Sequence, residues 1–380
     1  MLYNTARSRG EKLSILGFGC MRLPLNPDGT VDREESKRIV RWGIDNGINY
    51  IDTAYVYLDK LGEEIVGECL ADGYRDKVHL ATKIPVWLAG GTKEGLHKIL
   101  DEELRSLKTD HIDFFLIHAL NKGRWDIALK SGIHEFLDEA KAAGKIVNAG
   151  FSHHDDYTNF SEILNSRKWD FCQIQYNYID RFYQAGPRGG KDAMEKGMSV
   201  IIMEPLRGGQ LAAVPKEARA IFDASGVVQE PAAWGLRWIW DQEFPTVVLS
   251  GMSNFEQVQQ NVAAACRSPH GCLSASERQA IDSVSEFFKS RMKVRCTGCA
   301  YCMPCPFGVR IPECFAQYNN YYLYDSPANA LRFYGQFTSL GGKASECKKC
   351  GACEKLCPQG IKIREELENV ARLMESEQSQ

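Results

Sequence analysis

A chain of 380 residues with 44% hydrophobic and 25% charged side chains has the composition of a globular protein long enough for one large domain and a small one. Its formal net charge of −3, with acidic and basic residues interspersed, leaves no electrostatic footprint for nucleic acid or an anionic membrane surface. Purely apolar runs such as FFLI at 114–117 are too short to span a bilayer, and the opening MLYNTARSRGEKLS lacks the apolar core of a signal peptide, so a cytoplasmic location is expected.

The segment before residue 15 alternates in polarity about Gly10 and suits a short hairpin at the bottom of a barrel. Apolar strand patterns then follow at 15–19, 48–52, 78–83, 111–118, 145–151, 171–176, 199–204 and 246–250. Helical periodicity lies between them, as at 33–46, 95–107 and 133–144. Strands that are apolar throughout, each followed by a helix, imply a parallel sheet covered on its outer face. Eight such units in roughly 250 residues predict an α/β fold, a closed (β/α)8 TIM barrel. A doubly wound open sheet is the competing architecture, but no GxGxxG stands at a strand-to-helix turn, and GFGCMR at 17–22 lacks the third glycine.

An amphipathic helix at 274–290 closes this pattern, and the composition then shifts to Cys, Pro and Tyr. The reading is therefore a barrel over 1–290, a cysteine-rich domain over 291–365 and a helical or frayed tail over 366–380. The segment between the two cysteine groups is expected to form helices whose aromatic residues pack against the barrel.

In such a barrel the active site is built from residues just past the C-terminal ends of the strands. Those positions hold Asp52 and Tyr57 after the second strand, Lys83 at the end of the third and His118 at the end of the fourth. Each alone is more often a solvated or structural residue, but four titratable groups on three successive strands suit proton transfer to a carbonyl. A free tyrosine has a pKa of about 10. A lysine ammonium held by a carboxylate favours the phenolate, and lowering the phenol toward 7 requires about 4 kcal/mol of differential interaction. The adjacent histidine can orient the carbonyl oxygen.

Together with these residues, the motifs LGFG (16–19), DTAYVY (52–57), ATK (81–83), LIH (116–118), GKIVNAGFS (144–152), QIQYN (173–177), EPLRGG (204–209) and SGMSNFEQVQQN (250–261) resemble the aldo-keto reductase superfamily over nearly the whole barrel. The resemblance implies a catalytic tetrad of Asp52, Tyr57, Lys83 and His118, with Tyr57 the general acid, and a bound NADP(H) or NAD(H). It further implies that Gly19, Cys20 and Met21 line the nicotinamide end and that Ser152 and Gln173 hold its carboxamide. His153 replaces the family's usual asparagine, and Met203 the ring that commonly stacks on the nicotinamide. Glu204 and Leu206 are expected along the pyrophosphate. Gly251, Met252, Ser253, Gln257 and Asn261 are expected at the adenosine half, with Asn254 as a helix N-cap. Gln257 stands where many NADP-binding members have arginine, leaving the choice between NADP and NAD open, with Arg207 a substitute for that cation.

Fourteen cysteines include two tight groups. Cys347, Cys350, Cys353 and Cys357, followed by Pro358, have the spacing of a bacterial ferredoxin run. Cys296, Cys299, Cys302 and Cys305, followed by Pro306, repeat it with one residue fewer before the last cysteine. Two runs of four supply ligands for two 4Fe-4S clusters. By analogy with ferredoxins, Cys296, Cys299, Cys302 and Cys357 hold one, and Cys347, Cys350, Cys353 and Cys305 the other. Paired zinc sites or a single cluster are the alternatives. Cys314, Cys69, Cys172, Cys266 and Cys272 are read as inert thiols. As a whole the chain resembles aldo-keto reductases carrying a C-terminal 4Fe-4S ferredoxin-type domain.

The function expected is nicotinamide-dependent conversion between aldehydes or ketones and alcohols, on a small-molecule substrate and with a possible redox-protein partner. The alternative is an iron-sulfur electron-transfer protein whose barrel docks a partner or another cofactor. An idle barrel has no need of a complete tetrad. Hydride transfer moves two electrons and a cluster one, so the clusters are not expected to be obligatory in hydride transfer.

Overall fold

A computed structural model of the chain describes residues 1–296, 298, 302–324, 327–339, 341–357 and 360–376. Ten strands form among these residues. β1 (Tyr3–Thr5) and β2 (Lys12–Ser14) make an antiparallel hairpin with Tyr3 opposite Ser14. β3 (Leu16–Gly19), β4 (Tyr50–Asp52), β5 (His79–Ile84), β6 (Ile112–Leu120), β7 (Ile146–His153), β8 (Phe171–Gln175), β9 (Ser199–Met203) and β10 (Pro245–Ser250) follow. These eight are parallel and close into a barrel in the order β10-β3-β4-β5-β6-β7-β8-β9. Every run expected from the sequence is a barrel strand.

The strands are buried on both faces because the connecting helices cover the outside. Helices Arg33–Asp45, Lys93–Ser106, Lys122–Lys130, Tyr157–Ser166 and Phe255–Ala265 each begin at a side-chain cap. Asp32, Thr92, Asn121, Asp156 and Asn254 accept from the backbone N–H three residues on. These caps fix where each strand-to-helix loop ends, and so where its rim side chains stand. Inside, Tyr50, Phe114 and Phe171 meet edge to face with ring centroids 5.1 and 5.0 Å apart. Gly150 allows this approach: a Cβ there would lie 2.6 Å from the Phe171 ring.

The hairpin seals the end of the barrel where the strands begin. Ala6 and Leu13 join the interior cluster of Tyr50, Ala81, Phe114 and Val247. Asn4 Nδ2 donates to Thr246 O at 2.9 Å, and Arg7 N to Ser199 Oγ at 3.0 Å.

The chain divides into two compact units, Met1–Ala212 with Gln229–Ser274, and Ala213–Val228 with Ala275–Gln380. The helix Ala275–Arg291 lies in the second of these units. Helix Lys216–Asp223 packs on it, and Arg291 pairs with Glu217 at 3.0 Å. The segment between the cysteine runs forms the expected helices, Ile311–Leu323 and Pro327–Phe337. Phe315, Tyr318 and Tyr334, however, are buried in this unit's own core with Val294, Leu367, Val370 and Met374. The last three lie on helix Ile363–Met374.

Candidate active site

β4, β5 and β6 lie side by side, which brings their C-terminal ends together. Asp52 ends β4, Lys83 lies near the end of β5, and His118 near the end of β6. Lys83 Nζ donates to Asp52 Oδ1 at 2.6 Å, to Thr53 O at 2.7 Å and to Tyr57 OH at 3.2 Å. Lys83 is 1% exposed and Asp52 3%, so the ion pair is sealed from water. The imidazole of His118 meets the Tyr57 ring edge to face at 5.8 Å. The structure therefore gathers all four residues at one rim.

Tyr57 heads a turn that its sequence does not advertise. Leu58, Asp59 and Lys60 have φ of 51°, 54° and 72°, three successive non-glycine residues in the left-handed region. Such a residue costs about 1–2 kcal/mol, and strain of this kind clusters at functional sites. Behind the turn, Gly62 gives Tyr57 room, since a Cβ there would sit 3.0 Å from Tyr57 Cβ.

Burial dominates the electrostatics. It raises the Asp52 carboxyl above its ordinary value, against the pull of Lys83. For Lys83 burial acts downward, but Asp52 and Tyr57 outweigh it and the ammonium is held above its usual range. Burial raises Tyr57, and Lys83 offsets it only in part. This corrects the expectation of a phenol lowered toward 7: desolvation of the phenolate exceeds the attraction of a lysine whose charge Asp52 already balances. Burial and then Lys83 push His118 well below its ordinary value, so its imidazole is neutral at pH 7. Deeper in the wall, Glu63 Oε1 accepts from Thr82 Oγ1 at 2.5 Å, and burial pushes Glu63 up to about 7. Glu103, fully buried with neither oxygen partnered among the described residues, is raised further by burial and by Glu63.

On the substrate side, Trp87 stands 5.6 Å from His118 between ring centroids. Arg124 lies over the same indole, its Cζ 4.1 Å from the centroid, and Arg124 Nη1 donates to Ala119 O at 2.9 Å. Trp125 is buried in the wall against His134, with ring centroids 5.7 Å apart.

The positions expected to hold a nicotinamide cofactor fall into two sets. Ser152 and Gln173 are register partners on β7 and β8. Ser152 Oγ accepts from Ala119 N at 2.6 Å. Gln173 Nε2 reaches only Met203 Sδ, at 3.5 Å, and its buried Oε1 has no partner among the described residues, so its amide fits a carboxamide. Gly19 is buried beside Ser250 and Gly251, and Met21 is exposed. Cys20 is fully buried and not at an open rim, and burial followed by Cys69 and Asp52 raises its thiol well above the ordinary value. His153 is fully buried as well, with neither ring nitrogen partnered among the described residues, and burial lowers it to about 3.

At the other end, Gly251, Ser253 and Gln257 are exposed and Met252 is buried. Gln257 Oε1 accepts from Ser253 N at 2.8 Å. Asn261 is occupied within the wall, donating to Ser250 Oγ at 3.1 Å. Glu204 and Arg207 lie in a kinked loop with φ of 52° and 49°, while Leu206 packs by Gly235. Arg207 pairs with Asp180 at 3.1 Å, so it is already balanced and is a poor substitute for a phosphate-binding arginine. The sequence reading missed Arg22: its guanidinium reaches the Gly208 loop while its Cβ approaches Gly251. Its place directly after the LGFGCM rim was the available signal.

In the second unit, seven of the eight clustered cysteines are described, and Cys299 lies outside the described residues. Cys296, Cys302, Cys305, Cys347, Cys353 and Cys357 are half-buried against one core, and Cys350 is exposed. The runs open alike. Gly298 N points to Cys296 Sγ and Lys349 N to Cys347 Sγ, both at 3.4 Å, and both donors have left-handed φ, 69° and 56°. Amides turned toward sulfur stabilise thiolates, so donor set and loops fit iron-sulfur ligation. Among the described residues no three His, Cys, Asp or Glu side chains converge on a single-ion site. Cys314 is buried, with burial pushing its thiol up to about 12.

Residues 15–286 match the family model described as Aldo/keto reductase family. The chain belongs to the aldo/keto reductase family. Residues 295–363 match a second model, 4Fe-4S dicluster domain, so this aldo/keto reductase carries a C-terminal iron-sulfur domain. It is 34% identical over 157 residues to methylglyoxal reductase YeaE of Escherichia coli, covering 41% of this chain and 51% of that one, about half its length. It is 29% identical over 280 residues to 6-dehydroglucose reductase of Novosphingobium aromaticivorans, covering 67% and 87%. Among solved structures, aldo-keto reductase AKR11C1 from Bacillus halodurans in its holo form is similar at TM-score 0.63 and 26% identity, over 75% of this chain and 96% of that one. A Klebsiella pneumoniae aldo-keto reductase in complex with NADPH is similar at TM-score 0.61, with the same identity and coverage. No helix among the described residues is long and apolar enough to cross a membrane.

Proposed function

We propose that the protein is an NADP(H)-dependent carbonyl reductase in which Tyr57 is the general acid and the C-terminal unit carries two 4Fe-4S clusters. The observation that carries this reading is the hydrogen-bonded chain from Asp52 through Lys83 to Tyr57, beside a neutral His118. Bound NADPH supplies the hydride to the carbonyl carbon. Tyr57, protonated at neutral pH, gives its hydroxyl proton to the carbonyl oxygen. Lys83 then faces a phenolate, and Asp52 keeps the ammonium in place. His118 directs an imidazole N–H toward the same oxygen, which holds the carbonyl against Tyr57. In the reverse direction the same groups take a proton from an alcohol.

Ser152 and Gln173 would hold the nicotinamide amide, and the exposed start of helix Phe255–Ala265 the adenosine phosphates. Arg22 is the cation best placed beside Gly251 to favour NADP(H). The NADPH-bound Klebsiella relative supports the same choice.

The two cysteine runs would hold clusters that pass single electrons. With one-electron groups on one side and a two-electron hydride on the other, the clusters serve stability or a redox partner, not the carbonyl step. Purification under anaerobic conditions with iron and sulfide analysis tests the pair: about eight of each per chain is expected, and four overturns the count. Tyr57→Phe should abolish NADPH-dependent aldehyde reduction while NADPH still binds. Near-normal turnover in that variant refutes the assignment.

A further inference from the structure

Arg124 is a charged group at this rim to which the carbonyl chemistry gives no task. It is half-buried, and burial alone shifts it, lowering the pKa of its cation. Its guanidinium makes a single hydrogen bond among the described residues, from Nη1 to Ala119 O at 2.9 Å, leaving the Nε and Nη2 edge unspent. No carboxylate pairs with it among the described residues. Nearby acids are engaged elsewhere: Asp126 pairs with Lys122 at 2.6 Å, and Asp155 accepts from Lys122 N at 2.8 Å. The other ionisable groups here do not compensate. His118 and His154 are held neutral by burial, His154 at about 4, and Lys83 is balanced by Asp52.

A partly desolvated guanidinium without a counter-ion is unfavourable unless an anion completes it. Its planar fork matches a carboxylate in two-point contact. The Trp87 indole fixes where that anion sits. Arg124 lies over the ring, with its Cζ 4.1 Å from the centroid, and His118 packs at 5.6 Å on the same indole. The guanidinium is thus one indole away from the group that orients the carbonyl oxygen.

Resting on the carbonyl reductase reading, we propose that Arg124 is a carboxylate subsite and that the preferred substrates are aldehydes or ketones carrying an acid group several bonds from the carbonyl. The acid group takes no part in bond changes. The carbonyl carbon gains the hydride, its oxygen gains the Tyr57 proton, and the carboxylate is held throughout.

The test compares 4-formylbenzoate with its methyl ester, using NADPH and the whole protein. The unmodified enzyme should favour the acid by at least about tenfold in kcat/KM, the scale of one charge-assisted contact. Arg124→Gln should cost the acid about 10- to 100-fold, chiefly in KM, and leave the ester within about twofold. Arg124→Lys should recover part of the loss. No preference for the acid, or equal losses on both substrates, overturns the subsite, because a structural role at Ala119 and Trp87 would affect both alike. If neither compound turns over, the reductase reading fails by itself. Calorimetry with 4-(hydroxymethyl)benzoate and its methyl ester then reads the subsite directly. Arg124-dependent binding of the acid alone supports it, and no binding, or binding unchanged in Arg124→Gln, refutes it.

Discussion

Lys83 Nζ reaches Tyr57 OH at 3.2 Å, yet the phenol lies above its ordinary pKa rather than below it. The ammonium is already committed to Asp52 at 2.6 Å, and the burial that strengthens that pair penalises a phenolate more. On the proposed reading Tyr57 acts as an acid. Reduction should proceed with kcat/KM flat from about pH 6 to 9 and decline only in more alkaline solution, beyond the ordinary tyrosine range, where the phenol ionises. The alcohol-oxidising direction should rise across that range. A pH profile with a limb near 7 that vanishes in Tyr57→Phe would contradict this.

Breaking the buried pair should be worse than removing it. Lys83→Met leaves the Asp52 carboxylate uncompensated and should destabilise the barrel by about 3–5 kcal/mol, whereas Asp52→Asn with Lys83→Met should cost less than the single change. Urea unfolding of the two variants beside the unmodified protein decides it. Both variants should lose at least about 100-fold in kcat if proton delivery depends on the pair.

The Glu63 and Glu103 pair should make the fold less stable as pH rises. Glu63 is raised from 4.5 to about 7 in the folded state, so between those values the folded chain retains a proton that the unfolded chain releases. The stabilising contribution is complete below about 4.5 and is lost as pH rises through 7, amounting to about 3 kcal/mol. Glu103→Gln should therefore raise the melting temperature more at pH 8 than at pH 5. An equal rise at both would show that these carboxyls do not titrate in this window.

His153 should act in the opposite sense. Its folded pKa is lowered from 6.5 to about 3, so the unfolded chain binds a proton first. Its contribution is present above 6.5 and is lost as pH falls toward 3. His153→Leu should flatten the acid side of the stability profile measured between pH 6.5 and 4. An unchanged slope would mean that other groups govern it.

The cysteine runs should be separable from the carbonyl step. Cys350→Ser with Cys353→Ser, or removal of iron by a chelator, should leave NADPH-dependent aldehyde reduction within about twofold. It should also make the segment 291–376 sensitive to limited proteolysis, because half-buried thiolates lose their metal. Loss of turnover in protein that still binds NADPH would make the clusters part of the reaction.

The barrel was legible because eight apolar runs at strand length, each followed by a 3.6-residue pattern, admit few other arrangements. Asp52, Lys83 and His118 were legible because strand ends can be read directly. What escaped were relations between distant positions and backbone conformations without a marker. Leu58, Asp59 and Lys60 give no glycine signal for a left-handed turn. The pairing of Arg207 with Asp180 spans 27 residues and left no local trace. Trp125 and Arg124 are neighbours on a helix, where side chains point about 100° apart, and it is Arg124 that lies over Trp87.

The hairpin at the N-terminus closes the barrel at one end only. Ala6 and Leu13 form a dry floor beneath Tyr50 and Ala81, the residues two positions before Asp52 and Lys83 on their strands. Water excluded from below cannot screen the pair, so the local dielectric constant, and with it the acidity of Tyr57, is set partly by residues near the start of the chain. With the floor shut, substrate and cofactor must enter and leave through the same mouth, so the order in which they bind is a matter of who blocks whom.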